Sequence, residues 1–96
     1  MFVILLKFSA NKANASQFMD SHNAWLRDGF EKGIFLLAGT IQPKLGGAIV
    51  AHNAKIEQIQ EIVKKDPFVS ENVVAAEILE ITPSKAAAQL SFLMAQ

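Results

Sequence analysis

The first eight residues, Met1-Phe2-Val3-Ile4-Leu5-Leu6-Lys7-Phe8, constrain the fold more than any other stretch. Side chains alternate between the two sides of an extended chain. Phe2, Ile4, Leu6 and Phe8 would point one way, Val3 and Leu5 the other. A strand that is apolar on both sides is one covered on both sides. The run is too short for a signal-peptide core and has no basic region before it. No stretch of the chain is long enough to span a bilayer. The expectation is a soluble, cytoplasmic domain built on a sheet, with this strand covered on both faces.

The rest of the chain supplies partners for that strand. Residues 14–28 change to helical spacing, with Phe18, His22, Trp25 and Leu26 on one apolar stripe. Asn14 or Ser16 is the expected cap and Gly29 the expected stop, unless Arg27 and Glu31 extend the turn; Gly33 then releases the chain. Residues 34–38 form a second strand, with Gly39 marking a bulge or a close backbone approach. Pro43 and Gly46-Gly47 place a turn, and residues 47–51 return as a third strand, antiparallel to the second because the connection is short. Asn53 is read as the cap of a second helix whose buried stripe is Ile56, Ile59, Ile62 and Val63. That helix must finish near Asp66, since Pro67 disfavours helical geometry in the residue before it. Residues 68–72 read as a connection. Residues 73–82 form the fourth strand, with Ile78, Leu79 and Ile81 buried and Glu77 and Glu80 at the rim. A last helical segment follows Pro83, on which Ala86, Leu90, Leu93 and Met94 share a face.

The order β-α-β-β-α-β is that of a ferredoxin-like α+β fold, with both helices on one side of a four-stranded sheet. The other side then needs a cover. Each large apolar side chain left wet forfeits about 1.5–3 kcal/mol, and 51% of this 96-residue chain is hydrophobic. A second copy, sheet against sheet, is the simplest cover. The C-terminal helix is the competing one.

Charge narrows the function classes. Nine basic residues balance nine acidic ones, and Arg27 is the one arginine. Without a basic cluster, neither nucleic acid nor an anionic membrane surface is an expected partner. Without cysteine, thiolate metal sites, disulfides and cysteine nucleophiles are excluded. Ser and Thr residues have no base nearby in the sequence. His22, His52 and Asp66 have no recognised metal-ligand spacing, so neither a metal nor a cofactor is expected.

Two residues carry candidate chemistry. His22 lies on the apolar stripe of the first helix, which turns its imidazole toward the sheet. It reads either as a half-buried histidine bonded to a carbonyl or as a general acid or base, the role its ordinary pKa suits. Asp66 stands at the end of the second helix, where a carboxylate faces the negative end of the helix dipole. It reads either as the start of an Asp-Pro turn or as the partner of His22. Trp25 and the phenylalanines read as core, although an aromatic at a pocket wall would suit a planar ligand. His52 reads as a loop histidine, and Arg27 as part of a solvated helix face.

In this order and spacing, His22-Asn23-Ala24-Trp25-Leu26, the glycine-led strand Gly33-Ile34-Phe35-Leu36-Leu37-Ala38-Gly39, the turn and strand Gly46-Gly47-Ala48-Ile49-Val50, and the triplet Asp66-Pro67-Phe68 before Ile81-Thr82-Pro83 resemble the YCII-related family. The resemblance covers residues 1–83 and leaves the C-terminal helix, residues 84–96, outside. It implies a single domain of the dimeric α+β barrel type and a small-molecule enzyme. In that enzyme His22 and Asp66 would form an acid–base pair acting by elimination or isomerisation on a small cyclic or aromatic compound. Trp25, Gly39, Thr40 and Phe68, beside the matched motifs, become candidate substrate-binding residues, and a homodimer or higher homo-oligomer the expected assembly. The alternative is a non-catalytic ligand-binding or structural homodimer. The chain departs from the family pattern in three places. Met19 stands where relatives often carry arginine, so a less charged ligand is expected if that arginine binds an anion. Gly39-Thr40 stands for Gly-Pro. Asn72 stands for a glycine, and asparagine tolerates the same left-handed geometry.

Overall fold

In the computed structural model, which describes residues 1–95, four strands form one antiparallel sheet. The elements are β1 (Phe2–Phe8), α1 (Ala15–Glu31), β2 (Phe35–Ile41), β3 (Gly46–Ala51), α2 (Ile56–Lys64), α3 (Pro67–Ser70) and β4 (Val74–Glu80), with short 3-10 segments at Lys12–Asn14 and Ala88–Ala95. The sheet order is β2-β3-β1-β4, so each helical crossover skips one strand, as the ferredoxin-like order requires. The doubly apolar β1 is central. Its Ile4 pairs with Ile49 of β3 on one side and Ile78 of β4 on the other.

The core lies between the sheet and the helices. Phe2, Ile4 and Leu6 of β1 meet Phe35, Ile49, Ala51, Ile59, Val63 and Phe68 there, all buried. The α2 stripe is as the spacing predicts, with Ile59 and Val63 buried and Ile56 and Ile62 packed at the margin. Among the described residues no helix is long and apolar enough to cross a membrane.

Several local expectations are corrected. Helix α1 does not stop at Gly29 but runs to Glu31, and Gly33 makes the exit in left-handed geometry at φ 73°. Gly29 is a contact residue instead: a Cβ there would overlap the Phe35 ring, so its bare backbone lets α1 sit down on the sheet. The irregularity in β2 falls between Phe35 and Leu37, not at Gly39, which pairs with Ala48 within the ladder. Asn53 is not the cap of α2. It takes φ 58° two residues earlier, and the cap position is Lys55, whose backbone N–H donates to the Gln58 side chain at 2.8 Å. The connection after Asp66 contains a helical turn, α3.

The sheet face away from the helices is the other correction. Leu79 and Ile81, expected in the core, are each 41% exposed, and Leu37 of β2 is 57% exposed. Strand alternation puts them with Val3 and Val50 on the uncovered side, where Val3 pairs with both Val50 and Leu79. The C-terminal segment is not an amphipathic α-helix. Its 3-10 turns bury Leu93 alone and leave Leu90, Phe92 and Met94 exposed. Leu90, Phe92 and Leu93 come beside Leu37 and Val50 around an apolar cavity, so this segment covers only one end of that face.

Candidate functional site

Asp66 is fully buried, and the reason lies in the local sequence. Pro67 fits the first position of a helix, where its missing N–H costs nothing and its fixed φ suits helical geometry. The Asp66-Pro67-Phe68 triplet therefore starts α3 as well as ending α2. Asp66 is the N-cap: its Oδ1 accepts from the Phe68 backbone N–H at 3.0 Å. The carboxylate that looked misplaced at a helix C-terminus stands at the favourable, positive end of the next helix.

The same Oδ1 faces His22 Nδ1 at 2.7 Å, across 44 residues of sequence. The pair is well shielded, with the His22 side chain 12% exposed and that of Asp66 0%. Because the carboxylate oxygen accepts, Nδ1 is the donor and the lone pair of the neutral ring sits on Nε2. Oδ2 of Asp66 has no hydrogen-bond partner among the described residues. The imidazole is also held by its faces. It stacks on Phe68 with ring centroids 4.0 Å apart and planes 4° from parallel, and on Trp25 at 5.7 Å and 28°. Trp25 is itself fixed, donating from Nε1 to the Ile62 carbonyl at 2.9 Å and meeting Phe35 edge-on.

His22 lines a cleft of about 310 Å³ between α1 and the β2–β3–β1 part of the sheet. Phe68, Gly39 and Thr40 line it too, whereas Trp25 stands outside it as a brace behind the histidine. Asp66 does not reach the wall either. The ring therefore lies between the buried carboxylate and the cleft, and Nε2 is the nitrogen that Asp66 leaves available. Such an arrangement can accept a proton from a bound molecule and return one.

Met19, Asn23 and Leu26 complete the α1 side of the cleft. Sequence reasoning gave none of them a place in a cleft wall: Leu26 was assigned to the core stripe, Met19 was noted only as a departure from the family pattern, and Asn23 had no role. Met19, His22, Asn23 and Leu26 follow helical spacing as closely as Phe18, His22, Trp25 and Leu26 do. His22 and Leu26 belong to both stripes. Gly47, which also lines the cleft, was read as the end of a turn and the start of the third strand, with no role at a site. His52 lies elsewhere, edge-on to Phe92. Among the described residues no three His, Asp or Glu side chains converge as metal ligands would.

The model of the YCII-related domain matches residues 1–83. The chain belongs to the YCII-related family. No curated protein matches it. Among solved structures it is similar to the 5-chloro-2-hydroxyhydroquinone dehydrochlorinase of Burkholderia phenoliruptrix, in complex with 2,5-dihydroxybenzoquinone. The TM-score is 0.68 at 13% identity, over 84% of this chain and 93% of the other. At that identity the likeness concerns the fold. The ferredoxin-like architecture of this YCII-related chain is thus shared with an enzyme of ring compounds.

Proposed function

We propose that this YCII-related protein is a small-molecule enzyme that moves a proton on a small cyclic or aromatic compound. His22 is the acid–base group, and Asp66 fixes its tautomer and orientation. The observation that carries the reading is the 2.7 Å contact between buried Asp66 and His22 Nδ1, with His22 also lining a cleft of about 310 Å³. In an elimination on a chlorinated hydroquinone, His22 moves a proton from one ring hydroxyl to the chlorine-bearing carbon, giving the keto form; it then takes the proton of the para hydroxyl, whose electrons flow through the ring as chloride leaves with its own pair, so that a quinone and HCl result. In an isomerisation, His22 returns the proton at another atom. The fold neighbour's action on a chlorinated hydroquinone makes the elimination the first to try.

The test is chloride release from a panel of chlorinated hydroquinones, followed by ion chromatography, alongside ultraviolet spectra that report isomerisation. Removing a positioned acid–base group costs about 10²–10⁴-fold in rate, so His22→Ala is expected to fall by that order while staying folded. A His22→Ala protein as active as the native one refutes the role.

A second reading has its own support. Asp66 caps α3 through Phe68 N–H, so the pair also serves as a buried structural element in a non-catalytic ligand-binding or structural homodimer. Loss of stability without any native turnover to lose is the outcome that favours it.

The same proposal includes a second copy of the chain as partner. Leu37, Leu79 and Ile81 are exposed on one face, and each gains about 1.5–3 kcal/mol when buried.

A further inference from the structure

We infer that the cleft takes an uncharged single-ring ligand, held by Asn23 and Thr40, whose depth of entry is set by the bare backbone at Gly47. The inference rests on the cleft being a ligand site, as proposed above, and specifies what it admits.

Gly47 is the observation that carries it. In β3 it pairs with Leu6 on one side and Thr40 on the other, and paired residues share a face, so position 47 points with them into the cleft. Two other glycines are there for need. A Cβ at Gly29 would overlap the Phe35 ring, and one at Gly46 would overlap the Leu6 backbone, with φ at 140° besides. Gly47 has neither reason. Its φ is outside the left-handed region, and an added Cβ would meet only the Gly39 carbonyl oxygen, at an ordinary 3.4 Å. What a side chain at position 47 would occupy is the cleft itself.

Size and charge define the occupant. A volume of about 310 Å³ is at the small end for ligand pockets, and roughly 150 Å³ of closed cavity already holds benzene. One ring fits with room for its substituents. The polar side chains in the wall are His22, Asn23 and Thr40, and no Lys, Arg, Asp or Glu lines it. Lys12, over the Phe8 ring at 4.9 Å, lies outside the wall. A carboxylate on the ligand would enter without a counter-charge and with buried Asp66 directly behind His22. Neutral hydroxyl or carbonyl substituents are served instead: Asn23 offers an amide donor and acceptor from α1, and Thr40 a hydroxyl from β2.

The test compares hydroquinone with 2,5-dihydroxybenzoate, the same ring with one added carboxylate, by calorimetry and amide NMR shifts under reducing conditions. Hydroquinone is expected to shift the amides of Asn23, Thr40 and Gly47, and the dihydroxybenzoate to bind at least about tenfold more weakly. Gly47→Val should weaken hydroquinone binding about tenfold or more by filling the floor. Thr40→Val, nearly isosteric, should weaken it about fivefold through one lost hydrogen bond, and it carries the test if Gly47→Val does not fold. Absent shifts at millimolar hydroquinone, equal binding of the two ligands, or native affinity in both variants overturns the inference. A protein that binds hydroquinone as stated but turns over no ring compound refutes the proton-transfer reading alone.

Discussion

Replacing Asp66 by alanine and by asparagine separates what its carboxylate does for the fold from what it does for His22. Alanine removes the acceptor of two hydrogen bonds at once, from His22 Nδ1 and from Phe68 N–H. Loss of an N-cap costs about 1 kcal/mol, and a shielded imidazole N–H left without an acceptor about 1–3 kcal/mol. The two together come to about 2–4 kcal/mol. For a domain of this length 1 kcal/mol lowers the melting temperature by about 4–8 °C, so a fall of at least about 8 °C is expected by differential scanning calorimetry. Asparagine keeps an oxygen for both donors and exchanges an unpartnered oxygen, Oδ2, for an unpartnered NH₂. It should therefore cost about 1 kcal/mol, well short of alanine. Turnover should follow a different order: the neutral amide does not stabilise an imidazolium, so asparagine should lose rate although it keeps the fold. If the two variants melt alike, Oδ1 is not holding both donors and the reasoning fails. If asparagine turns over like the native protein, the carboxylate has no part in the chemistry.

The other predictions concern packing and assembly. Gly29→Ala should destabilise by about 1–3 kcal/mol in urea titrations because its methyl would overlap Phe35; helix propensity alone predicts a gain of about 1 kcal/mol, so the sign decides. Trp25→Phe removes the bond to the Ile62 carbonyl and should cost about 1 kcal/mol, seen as a lower midpoint in the same titration. In light scattering the native chain should have the mass of a dimer and Leu79→Lys that of a monomer, since Leu79 is 41% exposed beside Val3 on the uncovered face; a native monomer removes the account of that face.

What was legible in the sequence was periodic, and what was not depended on contacts between distant segments. The doubly apolar run at residues 1–8 implied a strand covered on both faces, and the helices cover one face of β1 while Val3 lies beside exposed Leu79 on the other. Ile56, Ile59, Ile62 and Val63 gave the buried side of α2 because spacing alone decides it. Gly29 could not be read correctly, since a glycine near a helix end looks like a stop until Phe35 is known to lie against it. Asp66 was singled out for the wrong electrostatic reason. Pro67 was taken only as a helix breaker, whereas a proline both ends one helix and begins another, which turns the awkward carboxylate into a cap. His22 was found because the apolar stripe passes through it, and the cleft-facing stripe that Met19 and Asn23 form with it was not drawn because one helical face was assigned and the neighbouring one was not. Leu79 and Ile81 were assigned to the core because hydrophobicity says that a side chain wants cover, not which molecule supplies it.

One oxygen atom of Asp66 answers to two masters, the α3 backbone and the histidine ring. Under selection for folding alone, position 66 is held to residues that can cap α3, and position 22 to residues that can donate to a buried carboxylate. A neutral amide would serve that second need, so it is the imidazole, and not the hydrogen bond, that marks a role beyond folding.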